Sequence, residues 1–253
     1  MTSVSVPPAT LANPYIVKIA SKAELKGIKR WLKREWDDFY LRNRTHEGFY
    51  DNFMHEQGDV WVCKVDGTRT VLGFLTGTMG KHPYMNIMQV RTKHRKCGVG
   101  RALVNFFLDE VKKHDPLGIE IQCEPCTSAP FWTRMGFVDV MPGMHSLSHH
   151  YKCWCFHGST ELPPEAQKVT VAVSLSEYSG KPSQTEFTTI AANINGAFVL
   201  KEHFVAYSDH YDTEMKVVID GREVFNGKAK YSAPIGGERE RNFIRLRRVV
   251  LPC

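Results

Sequence analysis

Between Val90 and Leu103 the sequence reads VRTKHRKCGVGRAL, in which Arg91, Lys93, Arg95, Lys96 and Arg101 surround Gly98 and Gly100. The chemistry such a run can do is anion binding. Glycines let the backbone approach a phosphate with no side chain in the way. A helix start directs N–H groups and the positive end of its dipole outward, and the cations supply counter-charge. Alone this is a weak signal, because a solvated helix cap has the same composition.

Two other groups of residues could do chemistry. Cys123-x-x-Cys126 and the run HHYKCWCFH at 149–157 raise a zinc reading, with Cys153, Cys155 and His157 on one face of a strand. Zinc sites usually pair two close ligand doublets across a turn. Here both groups fall on expected strands, where a free cysteine is more often a small buried hydrophobe; no metal is expected. In RERNFIRLRRVV, 239–250, Arg241, Arg245 and Arg247 alternate along an expected strand, and with Lys228 and Lys230 they could form a basic face for RNA. A merely solvated face would read the same.

The elements that must position these residues follow from periodicity and turn chemistry. YIVKIA at 15–20 reads as a strand. Ser21 and Glu24 have the spacing of a capping box for a helix over Ala23–Phe39, whose Leu25, Ile28, Trp31, Leu32, Trp36 and Phe39 recur at helical spacing. Strands at 59–66 and 70–79 form a hairpin around Asp66-Gly67. A strand at 84–91 leads into the loop 92–100 and a helix over 99–113. A strand at 118–124, a short helix over Ser128–Met135 closed by Gly136, and strands at 137–141 and 149–157 complete this part. Residues 1–14 read as a loose arm and 158–166 as a linker. Beyond it, 168–175, 185–194, 197–207, 214–219, 222–226 and 242–250 are strand patterns, and Asp220-Gly221 and Asn226-Gly227 are hairpin-turn dipeptides. The expected fold is α+β: a mixed, mostly antiparallel sheet flanked by helices over 15–157, then a small all-β sandwich or barrel over 167–253.

With the 253 residues 42% hydrophobic and 24% charged, the chain has the composition of a soluble globular protein. No run of about 18 apolar residues points to a membrane span, and the start lacks the basic-then-apolar pattern of a secretory signal. Seven irregularly spaced cysteines argue for a reducing, cytoplasmic setting rather than a disulfide framework.

The order R-x-x-G-x-G after a strand, carried by Arg95, Gly98 and Gly100 with Val90 five residues before the Arg, resembles the acetyl-CoA motif of the Gcn5-related N-acetyltransferases, the GNAT superfamily. Downstream, SAPFWTRMGF at 128–137 resembles that family's second motif, and the flanking elements occur in the family's order over about 15–157. The resemblance implies that Arg95, Lys96, Cys97, Gly98, Val99, Gly100 and Arg101 hold the pyrophosphate of acetyl-CoA. It places Val90 and neighbouring backbone along the pantetheine, with Phe131 packed near it. An acceptor amine would then attack the thioester directly, with catalysis by positioning, carbonyl polarisation and proton handling.

The pattern departs from the family where protons move. The family's usual base positions, nine and eleven residues before Arg95, are Asn86 and Tyr84, and its usual tyrosine acid is Trp132. Asn at the start of the second motif is replaced by Pro125. A base acting through water could be His82, Glu120 or Glu124; otherwise the acceptor has a low pKa, or the site binds acyl-CoA without turnover. His82, Tyr84, Asn86 and Glu120 are thus the candidate catalytic residues, and Tyr40, Phe49 and Tyr50 could touch the acceptor. The expected activity is transfer of an acetyl group from acetyl-CoA to a protein, small-molecule or aminoacyl-tRNA amine. The alternative is a catalytically weak acyl-CoA-binding module. A homodimer and a role for the β region stay open.

Overall fold

In the computed structural model of the protein, Ser21 and Glu24 open the first helix as their spacing predicts. The Glu24 N–H donates to Ser21 Oγ at 3.3 Å and the Ser21 N–H to Glu24 Oε2 at 2.9 Å, so two donors that a helix start leaves orphaned are satisfied reciprocally. The structure describes residues 14–39, 59–123, 126–139, 150–176, 185–207 and 213–251. Tyr40, Phe49, Tyr50, Glu124 and Pro125 lie outside the described residues. Among the described residues no helix is long and apolar enough to cross a membrane. The chain divides into two units, Met1–Thr78 with Met85–Glu110, and Met79–Tyr84 with Val111–Cys253.

The first unit is built on an antiparallel hairpin and two helices. Strands β1 (Tyr15–Ile19), β2 (Asp59–Val65), β3 (Gly73–Thr78) and β4 (Tyr84–Val90) lie side by side in that order. Helices α1 (Lys22–Phe39) and α2 (Val99–Lys112) cover the sheet. β2 is apolar almost throughout because both its faces are covered. Val60 and Val62 join Ile28, Trp31, Leu32 and Phe74 in one core, with Trp31 edge-on to Phe74 at 5.7 Å. Trp61, on the opposite face, meets Phe107 of α2 edge-on at 5.5 Å. Glu24 adds ion pairs to Lys64 at 2.7 Å and Lys18 at 3.2 Å. Burial opposes ionisation of this carboxyl, but hydrogen bonds from Lys64, Ser21 and Lys18 outweigh it and hold its pKa at about 2.

The second unit holds two sheets. β5 (Gly118–Cys123), β7 (His150–Cys155) and β6 (Val138–Asp139) make a three-stranded sheet in that spatial order. Helix α3 (Ala129–Arg134) precedes β6, and its Trp132 is buried 5.2 Å from the Phe137 ring. The C-terminal region is all-β as expected. It comprises β8 (Lys168–Ser176), β9 (Thr185–Ile194), β10 (Ala197–Tyr207), β11 (Glu214–Ile219), β12 (Arg222–Lys228), β13 (Gly237–Glu240) and β14 (Phe243–Val250). They form one sheet, ordered β12-β11-β8-β9-β10-β14-β13, rather than the two of a sandwich. Val171 and Val173 of β8, Phe204 of β10, Met215 and Val217 of β11 and Leu246 of β14 share one core, so the sheet curls around its own inner face. Register shifts in β10 between Val199 and Phe204, and in the β11–β12 pair, supply the bending.

One expected turn needs correction, and two features were not foreseen. Asp220 and Gly221, at φ 45° and 80°, do turn β11 into β12, but Asn226 and Gly227 lie within β12, opposite Lys216 and Met215. β13 was not expected; it pairs with β14 across a turn at Arg241 and Asn242, with Arg241 at φ 50°. That turn lacks the Asn-Gly or Asp-Gly signal that usually marks a hairpin. Finally, residues 158–160, the start of the expected linker, are hydrogen-bonded to β10. Ser159 bridges Glu202, the Thr160 N–H donates to Lys201 O at 2.8 Å, and the His203 N–H to Gly158 O at 2.8 Å.

Candidate active site

The anion-binding loop is a continuous piece of the first unit. β4 ends at Val90, a 3-10 turn covers Thr92–His94, and α2 begins at Val99. The first bond of α2 runs from the Ala102 N–H to Gly98 O at 3.0 Å, which makes Gly98 the cap and leaves the N–H groups of the first turn without intrahelical acceptors. Lys96 at φ 62° and Gly98 at φ 90° are both left-handed. A side chain at Gly98 would be strained there whatever the space. Side-chain bonds to backbone help hold the loop. Arg95 Nε donates to Val90 O at 3.3 Å, and Tyr15 Oη of β1 donates to Cys97 O at 2.5 Å. Burial, with smaller contributions from Cys97 and Cys63, raises the Tyr15 pKa and keeps it a donor. Lys93, Arg95, Lys96 and Arg101 are exposed around this cradle. Arg91 is turned away from the counter-charge role expected of it; its guanidinium lies 4.8 Å over the Trp31 ring. Exposed cations, a glycine cap and the open start of a fourteen-residue helix fit a pyrophosphate.

The candidate catalytic residues divide. His82, Tyr84 and Glu120 line one cavity of about 240 Å³ in the second unit, together with Gln122, Tyr151 and the β13–β14 tip at Glu240, Arg241 and Phe243. Asn86, two residues along β4 from Tyr84, is half-buried and is not among the lining residues. β5 alternates as expected: Ile119, Ile121 and Cys123 are buried, while Glu120 and Gln122 lie on the other face. Glu120 is half-buried on the cavity wall rather than solvated. Phe131 is half-buried in the second unit, its ring 5.0 Å from that of Trp132.

The β13–β14 tip contributes residues that the sequence reading did not select. Glu240 Oε1 meets His82 Nδ1. Asn242 Nδ2 donates to Glu120 Oε2 at 3.0 Å and to Tyr207 Oη at 3.3 Å. Phe243 packs directly on Gly118, where an added Cβ would lie 2.1 Å from the ring; only glycine admits this approach. Glu240, Asn242 and Phe243 are more than a hundred positions from His82, Glu120 and Gly118 in sequence, and no local pattern marks the pairing.

The remaining candidates have structural partners. Arg245 is buried; it donates to Asp115 at 2.8 and 3.3 Å and to Glu238 at 2.6 and 3.1 Å, and Arg247 also holds Asp115. Burial of Asp115 is outweighed by these arginines, and its pKa is lowered. Since Arg241 sits in the turn and Arg245 points inward, the expected basic row for RNA is not a solvent-facing row. Cys123 and Cys153 are buried. Burial pushes the Cys123 thiol up to about 11, and a hydrogen bond with Cys155, then burial, raises that of Cys153. Among the described residues no three His, Cys, Asp or Glu side chains come together as a metal site.

Residues 25–137 match the model of the acetyltransferase (GNAT) family. No curated protein matches the chain. Similar solved structures include a GNAT-family acetyltransferase from Staphylococcus aureus, 12% identical with a TM-score of 0.45, covering 55% of this chain and 97% of that one. Another is Arabidopsis thaliana NAA60 in complex with acetyl-CoA, 14% identical with a TM-score of 0.42, covering 56% and 98%. A third is the ribosomal-protein-S18-alanine N-acetyltransferase from Escherichia coli, 14% identical with a TM-score of 0.40, covering 55% and 90%. The chain carries, at residues 25–137, a domain of the acetyltransferase (GNAT) family.

Proposed function

We propose that the protein is an acyl-CoA-dependent N-acetyltransferase that moves the acetyl group of acetyl-CoA directly to an amine. The observation that carries this reading is the Arg95–Arg101 cradle: a left-handed glycine cap and exposed cations at the start of α2, within a segment that matches the family model. In this reading Arg95, Lys96, Cys97, Gly98, Val99, Gly100 and Arg101 hold the pyrophosphate, Val90 and nearby backbone guide the pantetheine, and Phe131 packs near it. The cavity takes the acceptor amine. His82 is the base, and Tyr84, Asn86 and Glu120 line or flank the path of the amine. The acceptor is a protein or small-molecule amine; the inward turn of Arg245 weighs against an RNA acceptor. The seven irregularly spaced cysteines favour a reducing, cytoplasmic setting.

Calorimetric titration of acetyl-CoA into wild type and Gly98→Glu tests the reading. Binding to wild type that is lost in the variant, followed by amine-dependent release of CoA, is the expected result. A folded wild type that does not bind acetyl-CoA would exclude it. Binding without turnover of any amine would instead favour a binding module.

A further inference from the structure

A histidine base needs one nitrogen held so that the other presents its lone pair in a fixed direction. His82 has no such partner on its own segment, which is a short connection between β3 and β4, and its side chain is 57% exposed. The partner comes from the far end of the chain. Glu240, the last residue of β13, places Oε1 on His82 Nδ1, and its own side chain is only 12% exposed. A carboxylate that accepts from Nδ1 selects the tautomer with its proton on Nδ1 and its lone pair on Nε2.

The tip that delivers Glu240 is tightly specified. Glu240 is paired with Phe243 across the turn, Phe243 is seated on Gly118, and Asn242 binds Glu120. Arg241 adopts a left-handed backbone to make the turn, a conformation that is unfavourable for a non-glycine residue. Strain of this kind persists where surrounding contacts over-determine it, and it gathers at functional sites. Here it lies beside a cavity whose other titratable or charged lining groups are Tyr84, Glu120, Tyr151 and Arg241.

We infer that Glu240 is the positioning residue for the base His82, so that the C-terminal β region completes the cavity at His82. The inference rests on the proposed function. The amine nitrogen forms its bond to the thioester carbon and loses its proton to Nε2. The C–S bond breaks, CoA leaves as a thiolate, and the imidazolium returns the proton to sulfur, giving the amide and CoASH. Glu240 keeps Nδ1 protonated throughout and transfers nothing.

The test uses the full chain, with propylamine as probe acceptor, and compares wild type, His82→Ala, Glu240→Gln and Glu240→Asp. Glu240→Gln should lower kcat roughly ten- to hundred-fold while the acetyl-CoA Kd and the KM for propylamine stay within about two-fold of wild type. Glu240→Asp should recover a substantial part of the loss. Nitrogen-15 NMR of the ring, assigned by the signal missing in His82→Ala, should show the Nδ1–H tautomer in wild type and a mixture in Glu240→Gln. The inference is overturned if Glu240→Gln keeps wild-type kcat, or if wild-type His82 carries its proton on Nε2. It is also overturned if acetyl-CoA binds but propylamine produces no CoA release. Absence of acetyl-CoA binding in wild type overturns the proposed function itself, a separate outcome read by calorimetry.

Discussion

The loop at 90–101 and the cavity at His82 are built in opposite ways. The loop is a single stretch of chain whose shape comes from backbone: a strand end, a 3-10 turn, a glycine cap and a helix start. The cavity is assembled by side chains from 82–84, 118–122, 151 and 240–243, and it exists only when those segments meet. A site made by local backbone geometry survives changes elsewhere in the chain and fails at one position. A site made by distant side chains depends on every element that brings them together.

The largest effect should come from the loop. Gly98→Glu combines a left-handed backbone with a carboxylate facing the bound phosphates, and acetyl-CoA affinity should fall at least about a hundred-fold, near 3 kcal/mol. Calorimetry would show it, with folding stability lowered by only the roughly 1–2 kcal/mol that a non-glycine residue costs in this left-handed backbone. A comparable loss from a cavity variant such as Glu240→Gln would break the comparison, because the two sites would not then be separable.

Acid should act next, on the unit that carries the loop. Glu24 has a pKa of about 2 against an ordinary 4.5, so its ion pairs stabilise the fold above about pH 4.5 and that stability is lost as pH falls from there toward 2. Chemical denaturation at pH 6 and pH 3 should show Glu24→Gln costing roughly 2 kcal/mol at the higher pH and much less at the lower. An equal cost at both would mean that the carboxylate's charge is irrelevant.

Gly118→Ala sharpens the contrast from the other side. Its new methyl group would displace the Phe243 ring, and overpacking of this kind costs about 1–3 kcal/mol. The Tm should drop and amine-dependent turnover should fall, while acetyl-CoA affinity holds.

The smallest effect involves His203, which is buried with Nε2 2.9 Å from Thr160 Oγ1. Burial, then the nearby Arg247 and Arg245, lowers its pKa. The unfolded chain therefore takes up a proton below about pH 6.5 that the folded chain resists, and stability declines as pH drops through that range. Melting curves between pH 7 and 5 should show a slope that His203→Gln reduces.

Legibility in the sequence followed the same divide. Ser21 and Glu24, Gly98 and Gly100, Asp66-Gly67 and Asp220-Gly221 act on residues within a few positions of themselves, and each is found where its pattern put it. The strands of the C-terminal region were visible from alternation and turn residues. β13 was not, because its turn is made by Arg241 and Asn242 with no glycine, and Asn226-Gly227 misled because sheet pairing overrode a local turn preference. His82 and Glu120 could be proposed from the chain around them. Their partners Glu240 and Asn242 could not, since nothing in a run of residues tells one side chain that another, over a hundred positions away, will arrive beside it.

The stitching of residues 158–160 onto β10 bears on how this protein could have come about and how it can be taken apart. A gene fusion that joins two independent folds leaves a loose seam, along which recombination can later exchange partners. Here the seam is itself hydrogen-bonded into the C-terminal sheet, so a chain cut at 158 would lose paired backbone as well as everything downstream. Exchanging the stretch beyond residue 158 for another would therefore require redesigning the junction.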